Sequence, residues 1–154
     1  MNLTTIKRTQ SLDKDFQFLV VQLDMDLNKR YDCVQSEYDK YNKIDSIDTV
    51  IIAYNNAEPI GCGCFKQLDE VTVEIKRMFV LLEYRGRGIS KIILNELENW
   101  ALELGFTKLV LETGKGQPKA IGLYEKLNYM KIDNYGQYAD MPNSVCFDKK
   151  LIMK

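Results

Sequence analysis

Residues 79–90 read Phe-Val-Leu-Leu-Glu-Tyr-Arg-Gly-Arg-Gly-Ile-Ser, and this run constrains the chain more than any other. Its apolar start reads as the end of a strand and its glycine-punctuated middle as a loop. An amphipathic stretch follows at once and reads as a helix. Backbone N–H groups of such a loop, together with the first orphan N–H groups of the helix, form a concave seat for an anion. Gly86 and Gly88 let the main chain adopt positive φ and approach a ligand closely. Arg85 and Arg87 add positive charge, so the run reads as the seat of a diphosphate.

The seat needs a domain around it, and 154 residues suffice for one, spanning 1–154, with a core of its own. A formal net charge of −1 argues against a general nucleic-acid binder. The chain has no histidine, which removes the commonest general base and the commonest metal ligand. Cys33, Cys62, Cys64 and Cys146 show no paired zinc-ligand spacing, so no metal site is expected. They read as small buried residues of a reduced, cytoplasmic protein. The N-terminus lacks a signal pattern, and no apolar run approaches the roughly 20 residues of a membrane span, so no membrane partner is expected.

Leu3–Arg8 reads as a first strand, and Ser11 as the cap of a helix starting at Leu12. Phe16, Leu19, Val20, Leu23 and Leu27 form that helix's apolar stripe. A second, more polar helix is expected over about 32–43. Asp48–Tyr54, Pro59–Phe65 and Val71–Val80 read as a three-strand meander with turns at Asn55-Asn56 and Asp69-Glu70. Beyond the glycine loop, Ile89, Ile93, Leu97, Trp100, Ala101 and Leu104 mark one helical face, which Gly105 ends. Lys108–Thr113 reads as a strand buried on both faces. Pro118 opens a helix with Ala120, Ile121, Leu123, Tyr124 and Leu127 inward. Tyr129–Asp133 and Val145–Leu151 are the last strands. The order β-α-α-β-β-β-α-β-α-β-β predicts an α/β fold: one mixed sheet with helices on both faces.

From these residues the chain resembles the GCN5-related N-acetyltransferase (GNAT) superfamily. That family's pyrophosphate signature, Arg or Gln, two residues, Gly, one residue, Gly or Ala, is matched by Arg85-Gly86-Arg87-Gly88-Ile89-Ser90. A second family motif, Asn-x-x-Ala-x-x-Leu-Tyr-x-x-x-Gly-Phe/Tyr, is similar to Gln117 through Tyr129. Ser90, Gln117 and Asn128 depart from the two patterns, and Asn is the next residue type after Gly to tolerate the left-handed conformation. A Rossmann unit would place its glycines at another spacing after the first strand, and a P-loop would need Gly-Lys-Ser/Thr.

The resemblance implies a GNAT-type acyl-CoA N-acyltransferase fold and acetyl-CoA as donor. It also implies direct transfer of acetyl to a primary amine of a small molecule, peptide or protein in a ternary complex. The amides of Gly86, Arg87, Gly88, Ile89 and Ser90 would take the pyrophosphate, with Arg85, Arg87 or Lys91 screening its charge or that of the ribose phosphate. Phe79 and Val80 would offer main-chain hydrogen bonds to the pantetheine arm. Parting of the parallel strands beside them would open the slot for that arm.

Only a neutral amine attacks, so a proton acceptor is needed, and without histidine a carboxylate is the leading choice. Glu74 stands where the histone-acetylating branch carries its base, unless it is simply paired with Lys76 or Arg77. Glu112 is the second candidate, unless it is a buried structural acid. Tyr124 falls on the family's general-acid position, although a Tyr at that helical spacing is otherwise a core residue. No cysteine is placed with a base, which disfavours an acetyl-enzyme.

Acids between Asp13 and Asp48 would form a wall drawing in a cationic amine, or else a solvated helix face. Tyr135 and Tyr138 would line the acceptor side from a late loop, or pack the domain or a homodimer contact. The alternative to an enzyme is a non-catalytic acyl-CoA-binding sensor or regulatory module.

Overall fold

The computed structural model describes residues 4–31 and 46–152. Seven strands form one sheet in the order β1-β2-β3-β4-β5-β7-β6. They are β1 (Thr4–Thr9), β2 (Val50–Asn55), β3 (Glu58–Gln67), β4 (Thr72–Val80), β5 (Lys108–Gly114), β6 (Met130–Ile132) and β7 (Ser144–Lys150). Three helices accompany them: α1 (Lys14–Tyr31), α2 (Ile89–Glu103) and α3 (Pro118–Lys126). The mixed α/β architecture is the expected one, and the helix expected over 32–43 falls outside the described residues.

Alternation along the strands sorts the core to two faces. Val50 and Ile52 of β2 pack with Phe16, Leu19 and Leu23 of α1 on one face. Ile51 and Ala53 pack with Ile93, Leu94 and Leu97 of α2 on the other. A side chain at Gly61 would come within 3.1 Å of Ile93 Cδ1, and one at Gly63 within 3.0 Å of Leu97 Cδ1. These two glycines therefore let α2 lie close on β3. The α2 stripe is Ile89, Ile93, Leu94, Leu97 and Ala101. Its larger members contribute about 1.5–3 kcal/mol each by leaving water. Leu104 is not part of it: at 54% exposed it lies past the helix end, where the chain turns through Gly105.

Ser11 is not the α1 cap. Its N–H donates to the Ile47 carbonyl and its Oγ accepts the Ile47 N–H, tying two loops together. Asp13 caps instead, its Oδ1 accepting the Asp15 N–H at 2.9 Å. In α3 only Tyr124 is fully buried; Ala120, Ile121, Leu123 and Leu127 are half-buried.

Two irregularities in β4 create the site. Cys62 faces Phe79 and Cys64 faces Lys76, so β4 uses one residue more than β3 across that step. Arg77 lies in this bulge with φ of 57°, a left-handed conformation uncommon for a residue with a Cβ. The Cys62 and Cys64 thiols donate to the Arg77 and Lys76 carbonyls there. On its other side β4 runs parallel to β5, but pairing stops at Ile75–Leu111. Beyond that point the two strands part.

Candidate active site

The parted strands enclose a cleft of about 120 Å³. Ile75, Lys76, Arg77 and Met78 of β4 form one wall and Leu111 through Gly114 of β5 the other. Tyr124, Ala120 and Gln117 close one end, and Leu23 and Leu27 of α1 the opposite one. The gap in the sheet thus connects the α2–α3 face with the α1 face.

At the mouth of the parted strands, the chain leaves β4 through a short 3₁₀ turn, Leu82–Tyr84, and enters α2. Gly88 is the N-cap of α2, with φ of 78° and no side chain closing the helix end. Gly86 has φ of 79°, and a Cβ at either glycine would meet nothing within 4 Å. The loop is therefore left-handed at both glycines and open above them. The first N–H groups of α2, at Ile89, Ser90 and Lys91, lack helical partners and carry the positive end of the helix dipole. Such a cradle fits a diphosphate.

The neighbours of this loop are less simple than expected. Arg85 Nε donates to the Val80 carbonyl at 2.8 Å, and its Nη2 lies 3.6 Å from Asp26 of α1. Its guanidinium also sits over the Phe79 ring, 5.4 Å from the centroid. Arg87 rests over Tyr84 at 5.2 Å. Phe79 and Val80 are buried, on opposite faces of the sheet.

Glu112 borders the cleft, and Ser144 Oγ donates to its Oε2 at 2.6 Å. Burial pushes its carboxyl up to about 7, against the opposing pull of Ser144 and Lys76. Tyr124 borders the same cleft. Burial, with the nearby Glu112 charge, raises its hydroxyl well above the ordinary tyrosine range, so it carries its proton at neutral pH. Its ring packs against Tyr129 and Phe147, at centroid separations of 5.7 and 5.9 Å.

Glu74 lies behind the wall rather than on it, 1% exposed. Tyr135 donates its hydroxyl to Glu74 Oε2 at 2.6 Å, and Lys76 Nζ lies 3.6 Å from Oε1. Tyr135 stacks edge-on with Tyr138, which is 2% exposed. Both tyrosines thus support Glu74 from below instead of lining the cleft. Of the acids expected to form an open wall, Asp32, Glu37, Asp39 and Asp45 fall outside the described residues, and the earlier ones are engaged. Asp13 pairs with Lys7, Asp24 with Arg77 and Asp26 with Arg85, and Asp15 accepts the Tyr54 hydroxyl.

Met78, Thr113 and Asn143 also line the cleft, and sequence pattern alone did not single them out. Met78 had one available signal, its place directly before Phe79. Among the described residues no group of three or more His, Cys, Asp or Glu could hold a metal ion. Among them, too, no helix is long and apolar enough to cross a membrane.

Residues 12–129 match the profile of the acetyltransferase (GNAT) family. The chain belongs to that family. IAA acetyltransferase of Azospirillum brasilense is 30% identical over 149 residues, 96% of this chain and 97% of its own. The uncharacterized N-acetyltransferase YsnE of Bacillus subtilis is 34% identical over 101 residues, 64% of this chain and 67% of its own. A crystal structure assigned as an acyl-CoA N-acyltransferase, from Klebsiella pneumoniae, superposes with a TM-score of 0.81 at 26% identity. That match covers 97% of this chain and 99% of the other. The GNAT fold is thereby shown, and the parted strands, the glycine loop and Tyr124 all fall within the matched residues.

Proposed function

We propose that this GNAT chain is an acetyl-CoA-dependent N-acetyltransferase that passes acetyl directly to a primary amine of a small molecule or peptide. The observation that carries the reading is the joint placement of Glu112 and Tyr124. A carboxylate raised to about 7 and a protonated phenol border one cleft. That cleft opens beside a helix start suited to a diphosphate. The residues fit the donor: open left-handed glycines at 86 and 88, uncapped amides from Ile89 to Lys91, and a stretch of β4 beyond Ile75 that no longer pairs with β5. The bound donor supplies an activated acetyl thioester.

Each chain residue then has a defined task. The loop amides bind and orient the diphosphate, with Arg87 and Lys91 adding positive charge. Glu112 takes a proton from the incoming ammonium, freeing the nitrogen lone pair. As the new C–N bond forms and the C–S bond breaks, Tyr124 gives its hydroxyl proton to the departing sulfur and regains a proton from the acylated nitrogen, which leaves a neutral amide. Met78, Leu23 and Leu27 keep bulk water from the reacting ends. Glu74, expected from sequence as the base, is the alternative proton acceptor; its burial behind the wall supports a supporting role instead.

The test is a panel of primary amines with acetyl-CoA, followed by thiol release, using wild type, Glu112→Gln, Glu74→Gln and Tyr124→Phe. Turnover that falls about 10²–10³-fold in Glu112→Gln is expected. Tight coenzyme A binding with no turnover on any amine would instead favour an acyl-CoA sensor.

A further inference from the structure

Lys76 is an ammonium group with only 4% of its side chain exposed, set in the cleft wall beside buried Glu74 and half-buried Glu112. Parallel pairing ends at Ile75–Leu111, so Lys76 and Glu112 are the next residues on each strand, and both line the cleft where the strands separate. Alternation puts both on the α1 face, along with Glu74. Lys76 Nζ lies 3.6 Å from Glu74 Oε1, whose other oxygen is held by the Tyr135 hydroxyl at 2.6 Å. Tyr135, Glu74 and Lys76 form a chain of contacts that ends at the cleft beside Glu112.

Resting on the base role given to Glu112 above, we infer that Lys76 is a positioning residue whose ammonium, anchored by Glu74, keeps Glu112 ionised to receive the acceptor's proton. A cation sharing the cleft wall with a carboxylate favours its ionised form, and the Lys76 charge acts on Glu112 in that direction. The other groups around Glu112 are Glu74 on β4, Cys146 and Ser144 on β7, Tyr138 below and Tyr124 on α3. Of these, Ser144 favours the ionised form most and Glu74 opposes it, and among the described residues Lys76 is the cation that adds to Ser144 against burial. Lys76 itself faces Cys64 and Lys66 of β3 as well as Glu74. Burial lowers its tendency to hold a proton, and the Glu74 carboxylate counters that. This gives the buried Glu74 a task consistent with its absence from the cleft surface.

The experiment is the pH profile of kcat/KM for wild type, Lys76→Met, Lys76→Arg and Glu112→Gln, with folding checked by circular dichroism. Lys76→Met is expected to move the acidic limb up by about one pH unit, a tenfold loss below the limb. The KM for acetyl-CoA should stay unchanged. Lys76→Arg should return the limb close to its wild-type position. Where the methionine variant does not fold, Lys76→Gln is the substitute and carries the same expectation. Loss of activity equal at every pH, with the limb unmoved, would overturn the role of Lys76, as would failure of arginine to restore the limb. Persistence of the limb in Glu112→Gln would defeat the base assignment itself, a separate result.

Discussion

At the level of single residues, the base role proposed for Glu112 works against stability. Its folded value of about 7 lies above the ordinary 4.5. Between those pH values the folded chain binds the proton more tightly than the unfolded one, so stability falls as pH rises through that window. The loss is complete above about 7. Glu112→Gln keeps an acceptor for Ser144 and removes the buried charge. Thermal or denaturant unfolding should find this variant more stable at pH 8 by about 2–3 kcal/mol, with allowance for screening near the cleft. The gain should vanish at pH 4, where wild type is also neutral. The same substitution should erase the acidic limb of the rate profile. Tyr124→Phe separates the other proton step: it should lower kcat about 10²-fold and leave the KM for acetyl-CoA nearly unchanged. Steady-state kinetics with a saturating amine measures both. Equal losses in kcat and cofactor affinity would mark Tyr124 as packing against Tyr129 and Phe147, and nothing more.

Among the elements, the loop into α2 shows what a sequence pattern can carry. Its glycines need no distant partner to reveal themselves, because positive φ is a local demand. Gly88→Val is therefore expected to weaken coenzyme A binding at least tenfold, measured by calorimetry, because a β-branched residue at φ of 78° is strained and shifts the loop although no atom lies within 4 Å. Arg85 was expected to screen the diphosphate, yet it rests on the Val80 carbonyl and near Asp26. Asp26→Asn should then tighten coenzyme A binding by freeing the guanidinium, and should do nothing in an Arg85→Ala background. Strand and helix order were legible for the same local reason, through apolar spacing and turn residues. The bulge at Arg77 was not. It depends on Cys62 and Cys64 across the ladder and on Asp24 from a helix 53 residues away. The placement of Glu112 on the cleft wall and of Glu74 behind it was hidden likewise. Burial behind or on a cleft wall is set by where β4 and β5 separate, and no residue spacing states that register. The α1 cap shows the smaller form of the problem: Ser11 and Asp13 are both good caps, and Ile47 decided between them.

For the molecule as a whole, the decisive feature is that the sheet is open at its centre. Strands β4 and β5 join an antiparallel group to the pair β5–β7, and their separation beyond Ile75–Leu111 makes a passage between the two faces. Side chains from both cores meet there. Ile75, Leu111 and Tyr124 come from the α2–α3 side, and Leu23, Lys76 and Glu112 from the α1 side. A donor and an acceptor can enter such a passage from opposite sides and meet without an intermediate carrier on the protein. The described cysteines agree with this arrangement. Cys62, Cys64 and Cys146 are buried, none lines the cleft, and burial holds the Cys64 and Cys146 thiols near 12 and 11. A thiol in that state is a poor nucleophile at neutral pH. Initial rates measured across a grid of acetyl-CoA and amine concentrations should therefore give intersecting double-reciprocal lines. Parallel lines, or a protein carrying acetyl after incubation with acetyl-CoA alone, would show that the two substrates do not occupy the passage together.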